Sequence, residues 1–158
     1  MRIYLAGIID GKHISECREW RTKIISHYTN WKGTEKNYGE ICFLNPLNGE
    51  ASISEDGLSS HLPSKAILIK DYNAIKKCDL FLVNMNTFGV DRPAIGTLME
   101  IAFAYEFRKP VMMITSDDLY KKHPFVSNMV DWYFDSVDDI LTQKAINTFY
   151  KAFNSAQY

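Results

Sequence analysis

Glu100 is the side chain in this sequence with the strongest claim to chemistry. It lies in Gly96-Thr97-Leu98-Met99-Glu100-Ile101-Ala102-Phe103-Ala104, among small and apolar neighbours. That pattern predicts a helix with Glu100 in its first turn, near the positive end of the helix dipole. The dipole favours the ionised carboxylate that a nucleophile needs, while apolar surroundings push the other way. A glutamate there also serves simply to stabilise a helix start. Three further acids accompany it. Asp71 falls inside a helical segment, Asp79 opens an apolar strand, and Asp91 lies in the loop before the Glu100 helix. A carboxylate facing a sugar carbon, with a second acid to protonate the departing group, is the pairing that glycosyl chemistry uses. Each acid also has a plain reading: a turn closed by Asp79, an exposed helix face for Asp71, a turn before Pro93 for Asp91. Tyr4, on the first strand, is either a core residue or a phenol that hydrogen-bonds a catalytic carboxylate and holds its rotamer.

These residues must be positioned by the elements around them. Short apolar runs alternate with helical patterns, which predicts crossover helices between parallel strands. Strands are expected at 2–9, 41–44, 79–85, 110–115 and 132–134, and helices at 15–28, 64–77, 96–107, 123–130 and 137–153. Ser15 is positioned to cap the first helix, whose buried stripe would include Cys17, Trp20, Ile24 and Ile25. The second strand stops at Asn45-Pro46. The polar stretch from Leu47 to Leu62 is too long for a plain connector and reads as a lid or surface loop. The whole chain, 1–158, reads as one α/β domain: a flavodoxin-like or Rossmann-like doubly wound five-stranded parallel sheet. Ligands of such sheets sit at the carboxyl ends of the strands, near the point where strand order reverses. That directs attention to Asp10, the 86–95 segment and Ser116 to Asp118.

Composition narrows the field. The 158 residues carry a net charge of −1, with 46% hydrophobic and 23% charged residues, an ordinary globular balance. Neither nucleic acid nor an anionic membrane is indicated as a partner. No apolar run approaches a membrane span, and the N-terminus enters a strand without a leader pattern. Three cysteines, Cys17, Cys42 and Cys78, lack framework or zinc spacing, so buried thiols in a reducing cytoplasm are expected. The four histidines show no ligand spacing. Gly7-x-x-x-Gly11 is not a dinucleotide fingerprint, and neither a P-loop nor a nucleophile elbow is present.

The stretch from Asp71 to Asp79, the apolar strand, Gly96-Thr97-x-x-Glu100-Ile-Ala-x-Ala104 and Arg108-Lys109-Pro110-Val111 together resemble the nucleoside 2-deoxyribosyltransferase family. Ile3-Tyr4-Leu5-Ala6-Gly7 and His123-Pro124-Phe125 match as well. The resemblance implies that Glu100 attacks the anomeric carbon of a 2′-deoxynucleoside to form a covalent deoxyribosyl-enzyme, from which a second base or water takes the sugar. It implies that Tyr4 orients Glu100 and that Asp71 contacts the base and helps it leave protonated. Asp91 and Asn128 become the candidates for the sugar hydroxyls. Gly7, Gly96 and Arg92 complete the expected substrate-binding set. No cofactor or metal is implied. The implied partners are a nucleoside or nucleotide, a free nucleobase and further copies of the chain in a homo-oligomer, with C-terminal residues such as Tyr158 reaching a neighbour's site.

One position departs from the family pattern. The transferases usually place the sugar-binding Asp six residues before the Glu, and related nucleoside 5′-monophosphate N-glycosidases tend to carry Ser there. Here that position is Ala94, and Asp91 stands nine before Glu100. Arg92 could hold a phosphate, which would favour a nucleotide. The leading expectation is therefore transfer of deoxyribose between bases in nucleotide salvage, with hydrolysis by an N-glycosidase as the alternative. A nucleotide-binding module without turnover is the third reading.

Overall fold

The computed structural model describes residues 1–9, 13–29, 41–48, 62–86 and 94–155. Five strands form the sheet: β1 Arg2–Gly7, β2 Cys42–Leu44, β3 Leu80–Asn84, β4 Val111–Ile114 and β5 Trp132–Phe134. Its order is β2-β1-β3-β4-β5, and every pairing is parallel. The helices are α1 Ile14–Thr29, α2 Ser64–Lys77, α3 Ile95–Glu106, α4 Asp118–Lys122, α5 Pro124–Ser127, α6 Val137–Thr142 and α7 Ala145–Ser155. The expected doubly wound five-stranded α/β fold is what forms. Among the described residues, no helix is long and apolar enough to cross a membrane.

Strand parity divides the core. Tyr4, Ala6, Phe81, Val83, Val111 and Met113 pack on one face, against Ile75 of α2 and Ile101 and Ala104 of α3. Ile3, Leu5, Leu80, Leu82, Met112 and Ile114 pack on the other, against Trp20 and Ile24 of α1, Ile140 and Ile146. Both faces are covered, so the strands are apolar at consecutive positions rather than at alternate ones. The parity also decides the site, because it turns Tyr4 toward the α3 face. β1 and β3 stop together at the pair Gly7–Asn84, two residues short of the expected strand end at Ile9. Strand order reverses between them, and the crevice at their carboxyl ends is the expected ligand position.

Several local expectations are corrected. α3 begins at Ile95, so Glu100 is its sixth residue and lies beyond the first turn, where the dipole effect has largely faded. Ser15 does not cap α1; the ring Nδ1 of His13 accepts its backbone N–H at 3.3 Å. Cys17 and Cys78 are buried, but Cys42 is exposed. Asp117 nucleates the unanticipated α4 by accepting the Leu119 N–H at 2.8 Å. The last helix is broken, with Lys144 in the left-handed region at φ 53°. Ile140 and Ile146 explain the break. Six residues apart, they would lie about 240° round a continuous helix, and only a change of axis lets both reach the core.

Gly7 is a packing requirement. A Cβ there would meet Asn84 O at 3.0 Å, Trp20 Cζ2 at 3.1 Å and Arg21 Nη2 at 3.4 Å. Its face is therefore the α1 side of the sheet. Gly7→Ala is expected to lower stability by about 1–3 kcal/mol through overpacking. Thermal unfolding measures this, and an unchanged melting temperature would refute the tight α1 packing.

Candidate active site

Four side chains from four elements converge beside the end of β1. Tyr4 is fully buried, and its ring stacks on Phe81 with centroids 5.6 Å apart and planes at 17°. Its hydroxyl donates to Glu100 Oε1 at 2.6 Å, a charge-assisted bond when Glu100 is ionised. Burial is the main reason the Tyr4 phenol titrates well above its ordinary value, and the nearby Glu100 carboxylate reinforces it. Tyr4 thus stays a proton donor to the carboxylate throughout the neutral range.

Glu100 occupies a strained electrostatic position. The residue keeps some exposed surface, yet the protein packed around its carboxyl dominates. Burial, opposed by the Tyr4 hydrogen bond and helped by the charge of Asp71, raises it from 4.5 to about 7. Arg21 and Lys70 pull it down again by their positive charge. A carboxyl balanced near neutrality in a packed crevice is a mark of functional sites. Asp71, on α2, is half-buried, with Lys70 Nζ 3.9 Å from its Oδ1. Lys70 also donates to Pro46 O at 2.8 Å, tying α2 to the end of β2.

The sequence nominated Tyr4, Asp71 and Glu100, and the three lie within electrostatic reach of one another. The remaining expected residues fall differently. Gly7 sits against α1. Gly96 is exposed near the start of α3, where a Cβ would meet nothing within 4 Å. Asn128 is exposed at the C-cap of α5, with its Nδ2 donating to Pro124 O at 2.6 Å. Asp10, Asp91, Arg92, Tyr158 and most of the 47–62 stretch lie outside the described residues. Ala94 is buried and precedes α3 with no side-chain cap bond. Asp79 is bound to Arg2, whose backbone N donates to it at 2.7 Å and whose Nη2 does so at 3.2 Å. Its role is structural, but through an ion pair with Arg2 of β1 rather than the turn expected before β3.

Arg21 was not singled out from the sequence, although the signal was there. It stands four residues after Cys17 and three before Ile24, in phase with the buried stripe of α1. A charge in that register is the anomaly that marks it. Among the described residues, no group of three or more His, Cys, Asp or Glu side chains converges to hold a metal ion.

A family model described as nucleoside 2-deoxyribosyltransferase matches residues 3–139. Among solved structures, a 2-deoxyribosyltransferase from Bacillus psychrosaccharolyticus superposes with a TM-score of 0.61 at 16% identity, covering 89% of this chain and 90% of that one. A CMP N-glycosidase from Clostridium botulinum gives a TM-score of 0.54 at 22% identity, covering 92% and 99%. A 2-deoxyribosyltransferase from Leishmania mexicana gives 0.55 at 18% identity, covering 95% and 97%. No curated protein sequence matches the chain.

The raised Glu100 carboxyl carries a stability consequence. As the pH rises from 4.5 to about 7, the unfolded chain gives up this proton before the folded one does. Folding stability is therefore lost across that window and stays lower above it. Glu100→Gln cannot ionise, so it is expected to be more stable than the wild type at about pH 8, by roughly 1–3 kcal/mol. The advantage should disappear below about pH 4.5, in the range of the unfolded value. Chemical denaturation at the two pH values checks this, and a pH-independent difference would refute the raised value.

Proposed function

The chain belongs to the nucleoside 2-deoxyribosyltransferase family, and on that premise we propose that it cleaves the N-glycosidic bond of a 2′-deoxynucleoside with Glu100 as nucleophile. The single observation that carries this reading is the 2.6 Å bond from the buried Tyr4 hydroxyl to Glu100 Oε1. It fixes one carboxylate oxygen and leaves the other available for the anomeric carbon. In the proposed first step an Oε of Glu100 bonds to C1′ while the C1′–N bond breaks. The electron pair goes to the base, and a proton delivered by Asp71 neutralises it. In the second step the nitrogen of another base attacks C1′, displaces the Glu100 carboxylate and gives its proton to the Asp71 carboxylate that the first step left, which restores both acids. Tyr4 holds the carboxylate rotamer in both steps, which lowers the ordering required at the transition state.

The alternative acceptor is water, and Ala94, which matches neither the Asp of the transferases nor the Ser of the N-glycosidases, leaves it open. The methyl group of Ala94 has no polar atom for a sugar hydroxyl, and the likeness to a CMP N-glycosidase accords with a differently held 5′ end. In that reading water attacks the same glycosyl-enzyme and the products are free base and free sugar or sugar phosphate. We keep transfer as the leading reading.

Incubation of the protein with a deoxynucleoside and a second free base is the deciding assay. A new nucleoside supports transfer; free base and sugar alone support hydrolysis. Mass spectrometry after incubation with a deoxynucleoside or a deoxynucleotide should show the mass of an attached sugar. Glu100→Ala should fold, lack the adduct and lose activity by about three orders of magnitude or more. An unaffected Glu100→Ala variant would reject both enzymatic readings in favour of a binding module. Tyr4→Phe should cost about ten- to a thousand-fold, since it removes an orienting bond and not the nucleophile. An unchanged rate would refute that role.

A further inference from the structure

Among the described residues, β1 has an open edge where the site lies. It continues to Gly7, but β2 pairs with it only through the partners of Arg2, Ile3 and Tyr4. Odd-numbered residues of β1 turn their backbone groups toward β2: Met1 O accepts from Cys42 N at 2.9 Å, whereas Arg2 O accepts from Asp79 N of the opposite neighbour at 2.8 Å. The carbonyls of Leu5 and Gly7 therefore point past the end of β2. The next donor in that register would come from position 46, which is proline and has no N–H.

Arg21 occupies the gap. Its Nε donates to Leu5 O at 3.2 Å and its Nη2 to Gly7 O at 3.2 Å. Its Nη1 donates to Cys17 O at 2.6 Å, back on α1. The residue is fully buried, and its guanidinium lies 4.6 Å from the centroid of the Trp20 ring. Among the described residues its hydrogen-bond acceptors are all neutral carbonyls. A neutral donor could satisfy part of that need without the desolvation cost of a charge, which is several kcal/mol for a buried ion. The charge must then be useful in its own right. Arg21 faces Glu100 of α3, Tyr4 of β1 and Asp71 of α2, together with Cys17 on its own helix. Among the described residues, the groups that act on Glu100 are Tyr4, Asp71, Arg21 and Lys70. Arg21 is the one fixed cation of this set that is fully buried.

We propose that Arg21 is a positioning residue with two tasks: its fork completes the open edge of β1 and so fixes the strand that carries Tyr4, and its charge favours the ionised form of Glu100 against the burial that opposes it. The proposal rests on the reading of Glu100 as nucleophile. Burial brings the guanidinium down to about 10, so it remains cationic at neutral pH. The carboxyl it serves is already pushed up by its surroundings, and loss of the cation raises it further.

Two variants separate the tasks. Arg21→Gln removes the charge and keeps a neutral donor. Arg21→Lys keeps the charge and loses the fork. Carbon NMR of glutamate-labelled protein, with Glu100→Gln to assign the resonance, reads the Glu100 titration without any turnover. Its midpoint is expected about one pH unit or more higher in Arg21→Gln and close to wild type in Arg21→Lys. The acidic limb of kcat/KM should move upward with it in Arg21→Gln. In Arg21→Lys kcat should fall with that limb in place. An unchanged Glu100 midpoint in folded Arg21→Gln overturns the proposal, as does loss of the native fold in both variants, which would leave Arg21 a purely structural brace. A wild type without glycosyl activity but with the expected NMR shift would sink the proposed reaction and leave the electrostatic role of Arg21 standing.

Discussion

A phenol from a strand and a carboxylate from a helix meet at 2.6 Å, and this contact is the constraint around which the molecule is arranged. It requires Tyr4 to point to the α3 face, which follows from its place in β1 between Ile3 and Leu5, whose side chains enter the opposite cluster. A slip of one residue would turn Tyr4 away and bury it among α1 side chains. Register is thus part of the site as much as residue type is. The parallel ladder on both sides of β1 holds that register, and the stacking of Tyr4 on Phe81 keeps the ring from swinging.

Electrostatics then sets the character of the contact. Glu100 is buried enough to resist ionisation, and only partial compensation comes from the phenol, the guanidinium of Arg21 and the ammonium of Lys70. Asp71 works against it. A full salt bridge would hold the carboxylate in its charged form but weaken it as a nucleophile. The arrangement instead leaves the carboxyl poised near neutrality, with the cation behind the strand rather than on the reacting oxygen. Such a position costs folding stability, which is the usual compromise of a reactive site.

The architecture explains why so few residues suffice. Helices on both faces bury the central strands β1, β3 and β4, so the crevice at the ends of β1 and β3 is the natural opening for a ligand. α1 supplies Arg21 from one face, while α2 and α3 supply Asp71 and Glu100 from the other. Gly7 permits this close approach, since a Cβ would press on both Trp20 and Arg21. Solved structures with only 16–22% identity share the fold, as expected where packing tolerates substitution and the apolar character of the strands and helix stripes is what must persist.

Short apolar runs alternating with helical stripes were sufficient to indicate five parallel strands and most of their intervening helices, because those signals are local in the chain, whereas the patterns made Tyr4, Asp71 and Glu100 candidates only, and their roles came from the resemblance to the family. Cap and turn details were less legible. His13 in place of Ser15, the break at Lys144 and the extra helix after Asp117 depend on which local hydrogen bond or hydrophobic phase wins in context. The depth of Glu100 within α3 moved it out of the favourable dipole field that its sequence position suggested. Arg21 illustrates the limit most clearly. Its register marked it as an anomaly on a buried stripe, but its purpose lies in the truncated edge of β1, created by a strand that ends at Leu44 and a proline that cannot donate. Pairings between residues far apart in the chain decide where backbone carbonyls are left without donors, and only the tertiary structure brings those together with a charge.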